Sequence, residues 1–135
     1  MPFVLDCSMT MAWIFADEGS ERTATLLESL LQDHALVPSL WPMEVANVLL
    51  AATRRGRIKQ NHWPKLLSHL SALPIHIDDE SADHVFDTVL PLAQTHQLSV
   101  YDAVYLGLAL KKHLPLATLD NRLAAACRTA GVPTL

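Results

Sequence analysis

Cysteine is nearly missing from this sequence. The two that occur, Cys7 and Cys127, stand near opposite ends of the 135 residues in no CxxC pattern. A disulfide scaffold is therefore not indicated, and a reduced pair is expected. No apolar run approaches the roughly 18 uninterrupted residues of a membrane span. The leading MPFVLD meets Asp6 without a basic stretch or a long apolar segment, so no secretory signal is visible and the cytoplasm is the expected compartment. Seven histidines are present, yet none forms HExxH or a mixed Cys and His ligand spacing, which argues against zinc. GxSxG, a phosphate-binding glycine loop and a DxD after the first apolar run are also absent. Serine hydrolases, P-loop enzymes and aspartyl-phosphate phosphatases fall away with them.

What is there describes a globular domain. Half the residues are hydrophobic and 18% are charged, too apolar a mixture for disorder. The length suits one core burying roughly two thirds of the unfolded surface. With no repeat, low-complexity tract or linker, residues 1–135 read as a single domain. FVL at 3–5, ALV at 35–37, IHI at 75–77, PLATL at 115–119 and VPTL at the end read as strands. Between them apolar residues recur at helical spacing, as in Leu26, Leu27, Leu30, Leu31 and again Trp63, Leu66, Leu67, Leu70. Pro42 suits a first helical turn, Gly56 and Gly131 suit helix ends, and Asp79 suits a cap for ESADHVFDTVL. Strands alternating with helices predict a three-layer α/β/α domain. Its central sheet is mainly parallel, with about five short strands and about seven helices.

Four acids then stand out. Asp6 follows the first strand and Asp120 the strand PLATL, while Glu44 and Asp102 lie in the first turns of helices opened by Pro42 and Ser99. In an open parallel sheet, strand carboxyl ends and the amino ends of following helices share one edge, so all four are expected at one cleft. Taken singly, each acid is equally explained by capping: Ser99-x-x-Asp102 matches a capping box, and an acid at a helix N-terminus gains roughly 0.3 to 1 kcal/mol from the macrodipole. Their surroundings favour more. Glu44 precedes VANVLLAA and Asp102 precedes AVYLGLAL, apolar nearly all round and expected to be buried on most faces. Carboxylates crowded at such an edge repel one another unless a cation sits among them. Hard oxygen donors of this kind suit Mg²⁺, with Mn²⁺ as a substitute.

DCS after the first strand, WPMEVANVL, LSVYDAVYLGLA and LATLDNRL, in this order and spacing, resemble a PIN domain, most closely a toxin of the VapC type from bacterial toxin–antitoxin modules. The resemblance covers essentially the whole chain. It implies a PIN-like fold and a metal-dependent ribonuclease whose acidic quartet is Asp6, Glu44, Asp102 and Asp120. It further implies that Ser8 and Thr118 steady the quartet through hydrogen bonds, with Asn47 as a polar companion one helical turn after Glu44. A small VapB-type antitoxin covering the cleft and a homodimer are implied as partners. The apolar stripe from Trp63 to Leu73 and the aromatic set around Trp13 are the chain's own hints of association.

The charge balance is compatible with RNA. Ten Lys and Arg face fourteen acids, and setting the quartet aside leaves ten of each sign. Positive charge clusters in RRGRIK, with Arg54, Arg55 and Arg57, and Arg122 stands just beyond Asp120; backbone phosphates are natural counterparts. A solvated helix end, where Arg54 and Arg55 complement the helix dipole, explains any single one of them slightly better. The run DDESAD reads as a helix start with a solvated face, and Trp13, Phe15, Trp41 and Met43 read as core or subunit contact. Two other functions stand beside the nuclease reading: a PIN-like binding module without catalysis, and a phosphoacceptor receiver domain, which would want an acidic pair where the chain has Asp6-Cys7.

Overall fold

The computed structural model describes residues 1–135. The apolar triplet Phe3–Leu5 forms β1, every residue of it buried. Along the chain follow α1 (Cys7–Ile14), α2 (Glu21–Ser29), β2 (Ala35–Pro38), α3 (Trp41–Arg54), α4 (Trp63–Ala72), β3 (Ile75–Asp78), α5 (Leu90–His96), α6 (Val100–Lys112), β4 (Leu116–Ala117) and α7 (Asn121–Ala130). The four strands pair in the order β3-β2-β1-β4, all parallel. The chain thus builds the sheet outward from β1 to one side, then returns to place β4 on the other. Such a reversal opens a crevice at the carboxyl ends of the strands. No helix is long and apolar enough to cross a membrane.

Strand alternation sorts the core into two layers. Val4 and Leu116 face Leu106, Leu123 and Cys127 of α6 and α7. Phe3, Leu5 and Ala117 face Met9 of α1, Leu26 of α2 and Leu30 just beyond it on the opposite side, as the two-residue side-chain period of a strand requires. A third cluster joins α1 to α3 through Met11, Phe15, Val45, Leu49 and Ala52.

Four local expectations change. VPTL contributes only a single bridge, Leu116 to Thr134, because Pro133 has no N–H with which to extend a ladder. PLATL is cut to two residues because Leu119 and Asp120 give their N–H groups to the hydroxyls of Ser8 and Thr118 instead of a neighbouring strand. Asp79 caps no helix: Ser81 folds back on the Asp78 carbonyl at 3.0 Å, a π turn spans Val85–Val89, and α5 begins only where Pro91 sets its first turn. Finally, α3 buries one stripe, Val45, Leu49 and Ala52, and not most of its faces. Met43 lies exposed, whereas Phe15 is core and Trp13 packs on the α1–α2 layer while donating to the Thr23 carbonyl at 2.9 Å.

Trp41 joins these layers. Its ring packs against all three clusters, and its Nε1 donates to Thr10 Oγ1 at 3.0 Å, while that hydroxyl donates to the Asp6 carbonyl at 2.8 Å. The start of α3 is thereby tied to the start of α1. Trp41→Phe should lower stability by about 1 kcal/mol, the value of the lost hydrogen bond, and Trp41→Ala by about 3 to 5 kcal/mol. Urea unfolding of both variants checks this. Equal midpoints for Trp41→Phe and wild type would show that the indole N–H contributes nothing.

Candidate metal centre

Each acid is delivered by a junction. Asp6 ends β1 and caps α1, accepting the Met9 N–H at 2.9 Å. Asp120 leaves β4 and caps α7, accepting the Leu123 N–H at 3.0 Å. Glu44 sits in the first turn of α3, where Pro42 occupies the opening positions. Asp102 sits in the first turn of α6, whose cap Ser99 accepts the Asp102 N–H at 3.1 Å. All four line one pocket of about 350 Å³, together with Cys7, Ser8, Met11, Glu18, Val48 and Tyr105.

Hydroxyls organise the floor. Ser8 donates to Asp6 at 2.8 Å and accepts the Leu119 N–H at 2.9 Å. Thr118 donates to the other Asp6 oxygen and accepts the Asp120 N–H at 3.0 Å. The carboxylate at the end of β1 and the loop after β4 are thus locked by two side chains, each acting as donor and acceptor. Tyr105 reaches from α6 to donate to Glu44 Oε1 at 2.5 Å.

Electrostatically the pocket is strained. Burial pushes the Asp6 carboxyl above its ordinary pKa, against hydrogen bonds from Thr118, Met9 and Ser8, and the Asp102 charge adds to the rise. Burial also raises Glu44, opposed by the Tyr105 hydroxyl and assisted by Asp102 and Asp6. For Asp102, burial comes first and repulsion from Asp120 second, with Ser99 and Arg122 pulling the other way. None of the four belongs to an ion pair; of the residues lining the pocket only Glu18 does, with Arg57 at 2.7 Å. Burial and the Glu44, Asp6 and Glu18 charges push the Cys7 thiol up to about 12, so it stays protonated and offers no soft ligand.

The donor set fits a hard divalent cation: oxygens only, several anionic, no protein cation among them. As the side chains stand, no three acidic, histidine or cysteine groups close around one point. The four acids thus share a pocket without forming a closed coordination cage, and a hydrated ion such as Mg²⁺, which takes only one or two carboxylates directly, would need no such cage. Among the remaining sequence-derived candidates, Asn47 does not join: it is exposed and its side chain makes no hydrogen bond. On a helix the residue four after Glu44 shares its face more closely than the one three after it, and it is Val48 that lines the pocket. Arg57 is held by Asp17 and Glu18 at 2.6 and 2.7 Å and lies over the Phe15 ring. Arg54 and Arg55 close the far end of α3, ~15 Å along the helix from Glu44. Arg122 opens α7 and acts on Asp102 through its charge. Besides Cys7, Met11 and Val48, two pocket residues escaped sequence reasoning. Tyr105 carried a signal, three residues after Asp102 and so on its helical face; Glu18 carried none.

An α/β fold of this topology with acids gathered at the strand carboxyl edge defines a class before any comparison. The profile of the PIN domain family matches residues 3–129, and the chain belongs to that family. Ribonuclease VapC3 of Pyrobaculum aerophilum is 34% identical over 128 residues, 92% of this chain and 93% of the relative. Ribonuclease VapC1 of Mycobacterium tuberculosis is 31% identical over 109 residues, 80% of each. Within the family the chain is of the VapC type. Among solved structures, PAE2754 from P. aerophilum superposes with a TM-score of 0.71 at 22% identity, over 99% of this chain and 89% of that one. A toxin–antitoxin complex from Klebsiella pneumoniae gives 0.59 at 19% identity, over 98% and 95%. These two likenesses speak to the fold.

A carboxyl whose pKa is raised by folding holds more proton in the folded than in the unfolded chain. Its stabilising contribution is full below the unfolded value and is lost as pH climbs toward the folded one. Asp102→Asn should therefore melt above wild type at pH 7 in EDTA, with the gap closing toward about pH 4. Added Mg²⁺ should narrow the gap at pH 7 by raising wild type more. Thermal melts across pH check both, and a gap that ignores pH would mean that Asp102 feels no repulsion.

Proposed function

We propose that the protein is a metal-dependent endoribonuclease, the toxin of a toxin–antitoxin pair, hydrolysing RNA phosphodiesters where Asp6, Glu44, Asp102 and Asp120 hold Mg²⁺, or Mn²⁺ in its place. The observation that carries this reading is the meeting of four carboxylates without a cationic partner in one pocket at the strand carboxyl edge. Kinship to two proteins named ribonucleases supports nuclease action. The chemistry a divalent ion supplies at such a site is positive charge against the scissile phosphate and an acidified water.

The chain's own groups prepare that chemistry. Asp6 is immobilised by two hydroxyls and a backbone N–H, so its oxygens are aimed before any ligand arrives. Tyr105 orients Glu44 and is itself pushed well up in pKa by burial and by the Glu44 carboxylate; it remains a donor at neutral pH. Asp102, half-buried, and Asp120, exposed, form the solvent side, where substrate enters. No histidine or lysine lines the pocket, so the only side-chain proton acceptors there are the carboxylates themselves.

A partner fits the same picture. No residue of α4 is buried, Leu67 is about half exposed, and α4 and α3 border an apolar groove that includes Trp41, Val45 and Leu70. An exposed apolar strip of this kind suits an antitoxin segment, in keeping with the fold shared with a toxin–antitoxin complex; a homodimer is the other association proposed.

Purified protein should cleave single-stranded RNA with Mg²⁺ and stop in EDTA, and Asp102→Asn and Glu44→Gln should each lower kcat by at least about a hundredfold while remaining folded. Undiminished cleavage in either variant would end the catalytic assignment. Metal-independent RNA binding without cleavage would favour the non-catalytic module. Tyr105→Phe removes the hydrogen bond that holds the Glu44 pKa down, so the acidic limb of the pH–rate profile should move to higher pH. An unmoved limb would show that Glu44 does not control the rate there.

A further inference from the structure

We propose that a groove on the opposite side of Asp120 from the acidic pocket binds a backbone phosphate of the RNA beside the bond to be cut, with Arg22 and Arg128 as its cations. The inference rests on the nuclease reading above. It assigns the path of the substrate strand away from the site.

The groove has a volume of about 340 Å³, and its lining includes Arg22, Thr118, Asp120, Asn121, Ala124 and Arg128. Asp120 also lines the acidic pocket, so the two are contiguous, and a strand crossing the first passes into the second. Neither arginine is paired with an acidic side chain, and both are exposed. Arg22 is already positioned: its Nη2 donates to the Thr118 carbonyl at 3.1 Å. Its Nε and Nη1 donors have no protein acceptor, in a group that carries five N–H bonds. The guanidinium is therefore held two residues from Asp120 with donors to spare.

Arg128 arrives from α7. Asn121, Ala124 and Arg128 recur at helical spacing and present one face to the groove. Arg128 stands ~12 Å along the helix from Asp120, and side chains on a helix lean toward its N-terminus, which brings its charge back toward Arg22. The small side chain of Ala124 leaves the space between open. Arg122 belongs to the neighbouring stripe of α7 and lines a different pocket with His96 and Thr129.

The chemistry selects a phosphodiester. Two unpaired guanidiniums favour an anion with several acceptor oxygens, and with no aromatic side chain in the lining a base has nothing on which to stack. Recognition here positions the strand without reading its sequence. The segment RRGRIK is a poorer track, because Arg57 is spent on Asp17 and Glu18 and Arg54 and Arg55 lie at the far end of α3.

The test uses the full chain and a labelled single-stranded RNA oligonucleotide, with Ca²⁺ replacing Mg²⁺ for anisotropy titrations over a series of KCl concentrations and Mg²⁺ for cleavage. Arg128→Ala should weaken binding several-fold, reduce the slope of log K against log salt by about 0.7, and raise KM with kcat little changed. Arg128→Lys should restore the slope. Arg22→Ala should act alike, with its melt recorded because it also ties the Thr118 loop. Arg54→Ala with Arg55→Ala should leave the slope as in wild type. A wild-type slope in both Arg22→Ala and Arg128→Ala overturns the groove, as does an equal fall in the Arg54 and Arg55 variant. Cleavage with a wild-type slope in both arginine variants sinks the groove alone; Arg128-dependent binding without cleavage sinks the nuclease reading alone. Neither binding nor cleavage sinks both.

Discussion

The buried carboxylate of Asp6 is the constraint around which the rest of the molecule is arranged. It ends the central strand at 5% exposure, where an unsupported charge would be expelled or neutralised. Three donors hold it: the Met9 N–H, the Ser8 hydroxyl and the Thr118 hydroxyl. Those donors come from α1 and from the loop after β4, so the groups that keep the carboxylate buried also fasten the two sides of the topological reversal. The shortness of β4 is one result, since the backbone beyond Ala117 bonds to hydroxyls and no longer to a strand.

Around this anchor the protein tolerates a local conflict. Asp6, Glu44 and Asp102 are all harder to ionise than free acids, through burial first and mutual repulsion second. A fold selected only for stability would place a lysine or an apolar group among them. Violations of local consistency of this sort concentrate at functional sites, and the conflict is of a kind that a divalent cation, once bound, would relieve. The surrounding core is unremarkable by contrast: two layers sorted by strand alternation and a third cluster under α3, joined by Trp41.

Charge outside the pocket is arranged with equal economy. In an acidic chain the placing of the cations matters more than their number. Arg57 is consumed in holding the turn after α1, and with it Glu18, against Phe15. The arginines left without carboxylate partners near the acids are carried by α2 and α7, whose positions follow from capping by Ser20 and Asp120. Asp120 thus has two structural consequences, starting α7 and separating the acidic pocket from a basic groove.

Much of this was legible in the letters. Strand and helix periods specify the α/β layers because side-chain alternation is a local property of the backbone, and Pro42, Ser99 and Gly131 mark helix ends for equally local reasons. The placing of Asp6, Glu44, Asp102 and Asp120 just after strands or in first helical turns was likewise readable, since capping chemistry acts within a few residues. What only the tertiary structure decided were relations between distant segments. Tyr105 reaching Glu44, Glu18 entering the pocket, Asn47 turning away while Val48 turns in, Arg57 being neutralised and Arg22 fastening to Thr118 all depend on how one helix is rotated against another. That rotation is set by packing summed over the whole core, which no short stretch of sequence contains.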